Sequence, residues 1–107
     1  MPFTLHDLEQ RVKERASASA GAEVSYTRKL LDRGIAHCAK KLGEEAIETC
    51  LAAVAEDKPA LANESADLLY HLLVLWTACD LTPEDVYAAL ALREARSGLE
   101  ENAARKD

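Results

Sequence analysis

Five acids in two short clusters are the residues of this chain best equipped for chemistry. The first cluster is GEEAIE, residues 43–48, with Glu44, Glu45 and Glu48. The second is ESAD, residues 64–67, with Glu64 and Asp67. At about 100° per residue, the three glutamates of the first cluster lie within a ~100° arc of a helix. Glu64 and Asp67 are three apart and share a face, and His71 continues that stripe one turn later. Asp67 also interrupts an apolar run, residues 65–76, which predicts a helix buried on most sides. A carboxylate in such a setting is costly unless it is paired, protonated or bound to a metal.

The two clusters are related by position. Glu45 and Asp67 are equidistant from residue 56, and so are Glu48 and Glu64. In a short-loop helical hairpin turning at 56, the four acids fall at one height on neighbouring helices. Taken alone, GEEAIE also reads as a solvated face, because Glu favours helices and Lys41 and His37 lie on the same side. Glu64 can equally sit in a first turn, where the helix dipole favours acids. Asp67 lies deeper, and Asp is a poor helix former. The shared height favours a functional cluster.

Such a cluster repels itself unless cations sit within it. All its candidate ligands are oxygens, which suit Mg²⁺, with Mn²⁺ as the alternative, rather than zinc. A di-iron bundle uses Glu-x-x-His on two helices, and the chain contains no Glu-x-x-His. Mg²⁺ on a few carboxylates keeps positions open for water and phosphate oxygens, which points to phosphate chemistry. The expected ligands are Glu45, Glu48, Glu64 and Asp67. Glu44 is a further ligand or the group that orients water. Glu44, Glu45 and Glu48 form the expected catalytic set. Arg28, Lys29, Arg33, Lys40 and Lys41 are candidate phosphate contacts; for each, ordinary surface charge is the alternative.

Helices must position these residues. Thr4 and Asp7 form a capping box, Phe3 can staple to Leu8, and the helix they start runs to about residue 16. SASAG, residues 17–21, reads as a linker. Residues 25–34 read as a short helix with Ser25 near its N-cap and Gly34 as its stop. A long helix spans about 35–56, with Ile35, Cys38, Ala39, Leu42, Ala46, Cys50 and Ala53 at helical spacing. EDKP, residues 56–59, is the turn. The next helix starts at about residue 59 or 60 and ends at 78. Thr82 caps the last helix, with Pro83 at its first position and Glu84 and Asp85 on its dipole. That helix is expected to end near Gly98. The expected organisation is one all-α domain over 1–98 and a polar tail over 99–107.

Composition agrees with this class. Ala and Leu dominate and aromatics are 5%, which favours helices over sheets. The net charge is −6 and no basic stripe is obvious, so nucleic acid is not an expected partner. No apolar run is long enough to cross a membrane. The start, MPFTLHDLEQ, is polar and acidic and predicts no signal peptide. Cys38, Cys50 and Cys79 show no C-x-x-C spacing and read as reduced core thiols of a cytoplasmic protein.

The pattern E-E-x-x-E followed by E-x-x-D resembles that of the all-α nucleoside-triphosphate pyrophosphohydrolases, the MazG-like superfamily. SYTRKLLDRG (25–34), KKLGEEAIE (40–48) and ESADLLYHLLVL (64–75) narrow the resemblance to the phosphoribosyl-ATP pyrophosphatases of histidine biosynthesis. It covers nearly the whole chain. It implies hydrolysis of 1-(5-phosphoribosyl)-ATP to 1-(5-phosphoribosyl)-AMP and pyrophosphate. It also implies substrate contacts at Ser25, Tyr26 and Thr27, with Lys29, Lys40, Lys41 and His71 around them. Residues 25–29 are expected to read the phosphoribosyl end. It further implies a homodimer or higher homo-oligomer whose helices complete a shared bundle. Two rival functions stay open. One is a house-cleaning pyrophosphatase acting on free or modified nucleotides. The other is a helical interaction module with a vestigial acid cluster.

Overall fold

The computed structural model describes residues 2–17 and 25–96, and these form five helices. They are α1 (Leu5–Ser17), α2 (Tyr26–Asp32), α3 (Ile35–Val54), α4 (Lys58–Ala78) and α5 (Pro83–Glu94). Among the described residues there is no strand. The all-α expectation is therefore borne out. The expected linker began at Ser17, but Ser17 closes α1; the rest of it, 18–21, and the tail at 99–107 lie outside the described residues.

Local signals start and stop each helix. The Thr4 amide donates to Asp7 Oδ2 at 2.9 Å, and the Asp7 amide returns to Thr4 Oγ1 at 3.3 Å. This reciprocal box satisfies two amides of the first turn. Phe3 does not act as a staple: it stays exposed, whereas Leu8 joins the core. Ser25 caps α2 by accepting from the Arg28 amide at 3.1 Å. Asp57 caps α4 through the Ala60 amide at 3.0 Å, so α4 begins at Lys58, with Pro59 inside its first turn. Thr82 and Asp85 form a second capping box at α5. The C-cap of α5 is Ala95, so the helix stops short of the expected end near Gly98.

α3 and α4 form the antiparallel hairpin that the spacing predicted, and α1 and α2 pack against α4. Val12, Leu30, Cys38, Leu73 and Val74 make the buried centre where α1, α2, α3 and α4 meet. α5 buries no residue. It is tied back by the Tyr87 hydroxyl, which donates to the buried Glu9 at 3.1 Å.

Three burial expectations need correction. The inward stripe of α3 runs through Cys38, Leu42, Glu45, Thr49 and Ala52, while Ile35, Ala39, Cys50 and Ala53 are exposed. A 3.6-residue repeat drifts relative to a straight seam, so one face cannot keep all the apolar positions. α4 is covered on one side rather than on most sides: His71, Leu73 and Val74 are buried, but Asp67 and Leu69 are exposed. Of the three cysteines only Cys38 is in the core; Cys50 and Cys79 are exposed free thiols.

Gly34 joins α2 to α3 at φ 95°, ψ 172°. That region is essentially closed to residues with a Cβ. Space is not the obstacle, since an added Cβ would meet nothing within 4 Å. Gly34→Ala should therefore lower the unfolding free energy by about 1–3 kcal/mol through backbone strain alone. Urea unfolding measures this; an unchanged midpoint and slope would refute it.

Candidate active site

The hairpin register brings the acids together. Carboxylate oxygens of Glu45, Glu48 and Glu64 lie within 4.8 Å of one another. The register is pinned by Thr49, whose hydroxyl lies 2.7 Å from the Glu45 carbonyl and 3.2 Å from the Glu64 carbonyl. One hydroxyl proton is thus shared between the two helices. Glu45 and Glu64 are half-buried and Glu48 is exposed. Asp67 is exposed and outside the triplet, yet its charge raises the pKa of both Glu45 and Glu64. Glu44 is not part of the triplet and pairs with Lys41 at 3.2 Å.

Burial is the main cause that pushes Glu45 up to about 7, followed by its hydrogen bond with Glu48 and the charges of Glu48, Asp67 and Glu64. Glu64 is raised by burial and by Glu48. One oxygen of each residue, Glu45 Oε2 and Glu64 Oε2, is buried without a hydrogen-bond partner. Such orphaned oxygens carry the full desolvation penalty. A hard divalent cation would give both a partner and cancel the repulsion, so these residues fit Mg²⁺ or Mn²⁺.

The other expected site residues divide. Thr27 is fully buried, and its hydroxyl meets Tyr70 OH at 2.6 Å. Ser25 is engaged as the α2 cap. Tyr26 is the exposed member of that trio, with its ring stacked 6.4 Å from Tyr70. His71 is buried edge-on to Tyr70 and Tyr26, and its Nδ1 has no partner. Burial, then the Lys41 charge, lowers its pKa, which leaves a neutral ring. Lys29 and Lys41 line a groove between α2 and α3, whereas Lys40 is exposed outside it. Sequence reasoning missed Thr49 and Tyr70. Both make side-chain bonds across helices, and no local pattern announces those.

The raised Glu45 has a consequence for stability. A carboxylate whose folded pKa exceeds its unfolded value favours the fold below about 4.5 and loses that contribution as pH rises through about 7. In EDTA the melting temperature should fall across this window. Glu45→Gln should flatten the fall and melt higher than wild type above it. Parallel pH profiles for the two proteins would refute this account.

The sequence profile of the family described as Phosphoribosyl-ATP pyrophosphohydrolase matches residues 5–94. The "Phosphoribosyl-ATP pyrophosphatase 1" of Bradyrhizobium diazoefficiens is 57% identical over 98% of this chain and 97% of its own. The "Phosphoribosyl-ATP pyrophosphatase" of Azorhizobium caulinodans is 58% identical over 96% of this chain and 93% of its own. That of Nitrobacter winogradskyi is 57% identical over 96% and 87%. With the acid cluster at the height the spacing required, this chain belongs to the phosphoribosyl-ATP pyrophosphohydrolase family.

Proposed function

We propose that this protein hydrolyses 1-(5-phosphoribosyl)-ATP to 1-(5-phosphoribosyl)-AMP and pyrophosphate in histidine biosynthesis. The observation that carries this is the Glu45–Glu48–Glu64 triplet with its two orphaned buried oxygens. The names of the relatives support the substrate. They favour this reaction over a general house-cleaning one.

Glu45, Glu48, Glu64 and Asp67 would hold a divalent cation, Mg²⁺ or Mn²⁺. When bound, it supplies charge neutralisation and polarisation at the triphosphate. The chain's own residues do the rest. Glu44, held by Lys41, orients the attacking water and accepts its proton at a carboxylate oxygen. The water oxygen bonds to phosphorus as the α–β anhydride breaks, and pyrophosphate leaves. Lys41 offers a donor to the phosphates beside Glu44. His71, one turn beyond Asp67, keeps its Nδ1 without a partner and adds a polar group at the edge of the site. Tyr26 gives an exposed ring for the base, and Ser25 and Thr27 fix its position through the cap and the Tyr70 bond.

The working form is a homodimer or higher oligomer, acting in the cytoplasm on a small-molecule substrate. Ile47, Leu51 and Val54 lie exposed along one side of α3, and Tyr87, Leu90 and Leu92 along α5. Clustered apolar side chains of this kind mark association surfaces. No described helix is long and apolar enough to cross a membrane.

Glu48→Gln and Asp67→Asn keep side-chain shape but remove charge. Each should lower pyrophosphate release by about 100-fold or more while helicity stays intact. A near-normal rate in either would remove that residue from the site. Mg²⁺ at about 100 times its Kd should stabilise the wild type by about 2.7 kcal/mol, and the double variant not at all. Equal melting in EDTA and Mg²⁺ would show that the acids hold no metal. By light scattering, the wild type should have at least twice the chain mass, and Leu51→Lys should shift it toward one. A monomeric wild type would refute the assembly.

A further inference from the structure

The acid cluster accounts for cleavage of a triphosphate but not for selection of a substrate with a second anionic end. A groove between α2 and α3 has the chemistry for that end. It measures about 480 Å³, and Tyr26, Lys29, Arg33, His37 and Lys41 line it. That volume suits a ligand fragment of nucleotide size.

Its charge is out of keeping with the rest of the molecule. The chain carries a net −6, yet three cations and an imidazole converge here. The groove's one acid, Asp32, is already paired with Arg28 at 3.2 Å. Lys41 is paired with Glu44. Among the described residues, Lys29 and Arg33 have no acidic partner. His37 registers the resulting field: burial lowers its pKa first, then the charges of Arg33, Lys41 and Lys40, with only Glu44 opposing. Cations held close together without counter-charges suit a multivalent anion.

The groove is also placed correctly. His37 precedes Glu45 by eight residues on α3, about 12 Å along the axis. Lys41 lies between them, lining the groove and touching Glu44 of the acid cluster. A substrate with its triphosphate at the acids can extend along α3 into this groove, with Tyr26 flanking its middle. This also revises the expectation that residues 25–29 act as one recognition segment. Ser25 and Thr27 are occupied by capping and packing, so the selective contacts shift to Lys29 and Arg33 at the end of α2 and to His37 on α3.

We propose that the α2–α3 groove binds the phosphomonoester of the phosphoribosyl end, with Arg33 as its main donor and Lys29 and His37 beside it. The assignment rests on the function proposed above. Arg33 donates from its guanidinium fork to two phosphate oxygens, a geometry a lysine cannot reproduce. Arg33 and His37 are thereby specificity residues, separate from the acids that carry out hydrolysis.

The test compares Arg33→Gln and His37→Gln with wild type in Mg²⁺. The measured quantity is the ratio of kcat/KM for phosphoribosyl-ATP to that for ATP. Arg33→Gln should lower this ratio by about tenfold or more, and His37→Gln should lower it less. A second arm measures ribose 5-phosphate binding by melting shift in EDTA: wild type shifts and Arg33→Gln does not. The Mg²⁺ melting shift of each variant serves as the control for an intact fold. An unchanged ratio, or equal losses on both substrates, would overturn the proposal and place Arg33 on the shared triphosphate. Ribose 5-phosphate shifts equal in wild type and Arg33→Gln would also overturn it. A wild type that releases no pyrophosphate from phosphoribosyl-ATP would overturn the proposed function instead, and the ribose 5-phosphate arm would still decide the groove.

Discussion

Repulsion among three close carboxylates, two of them half-buried, is the constraint on which the rest of this structure depends. Glu45, Glu48 and Glu64 are held within 4.8 Å by two packed helices. Left alone, such a group would splay the hairpin. The fold resists through the Thr49 hydroxyl across the helices, the Asp57 cap at the turn and the packing of α3 against α4. Partial protonation of Glu45 relieves the remainder. The same arrangement leaves one buried oxygen each on Glu45 and Glu64 without a hydrogen-bond partner, the role a cation fills in the proposed function.

Much of this was legible from sequence because its determinants are local. Thr4 with Asp7, Ser25, and Thr82 with Pro83 and Asp85 announce helix starts within four residues. The hairpin height followed from the turn position alone, because two helices joined by a short loop leave little freedom of register. Asp67 shows where such reasoning stops. Its apolar neighbours predict burial, but burial depends on which side another element covers, and none of the described elements covers that side. The α2–α3 groove was illegible for a related reason. Its lining comes from two helices joined at Gly34, and their angle is set by a backbone conformation that no side-chain pattern encodes. The Thr27–Tyr70 bond, across 43 positions, likewise has no local signature.

Apolar and charged surfaces are segregated on α3. The side facing α4 carries the acids and Thr49; another carries Ile47, Leu51 and Val54; its first turns carry His37 and Lys41. In the function and groove proposed above, one helix serves hydrolysis, association and substrate choice. Substitutions that retwist or tilt it would couple all three. The small contribution of α5 to the core fits an element whose apolar side chains are completed elsewhere.

The turn at residues 55–57 also sets an order of assembly. Every acid of the triplet lies within the α3–α4 hairpin, which closes over a loop only a few residues long. Contacts of short sequence separation form early, while docking of α1 onto α4 must close a far longer stretch of chain. The acids therefore meet while much of the core is still open to water, where a high dielectric weakens their mutual repulsion. A cation that enters early would meet a flexible, hydrated ligand set, and one that enters late a rigid one.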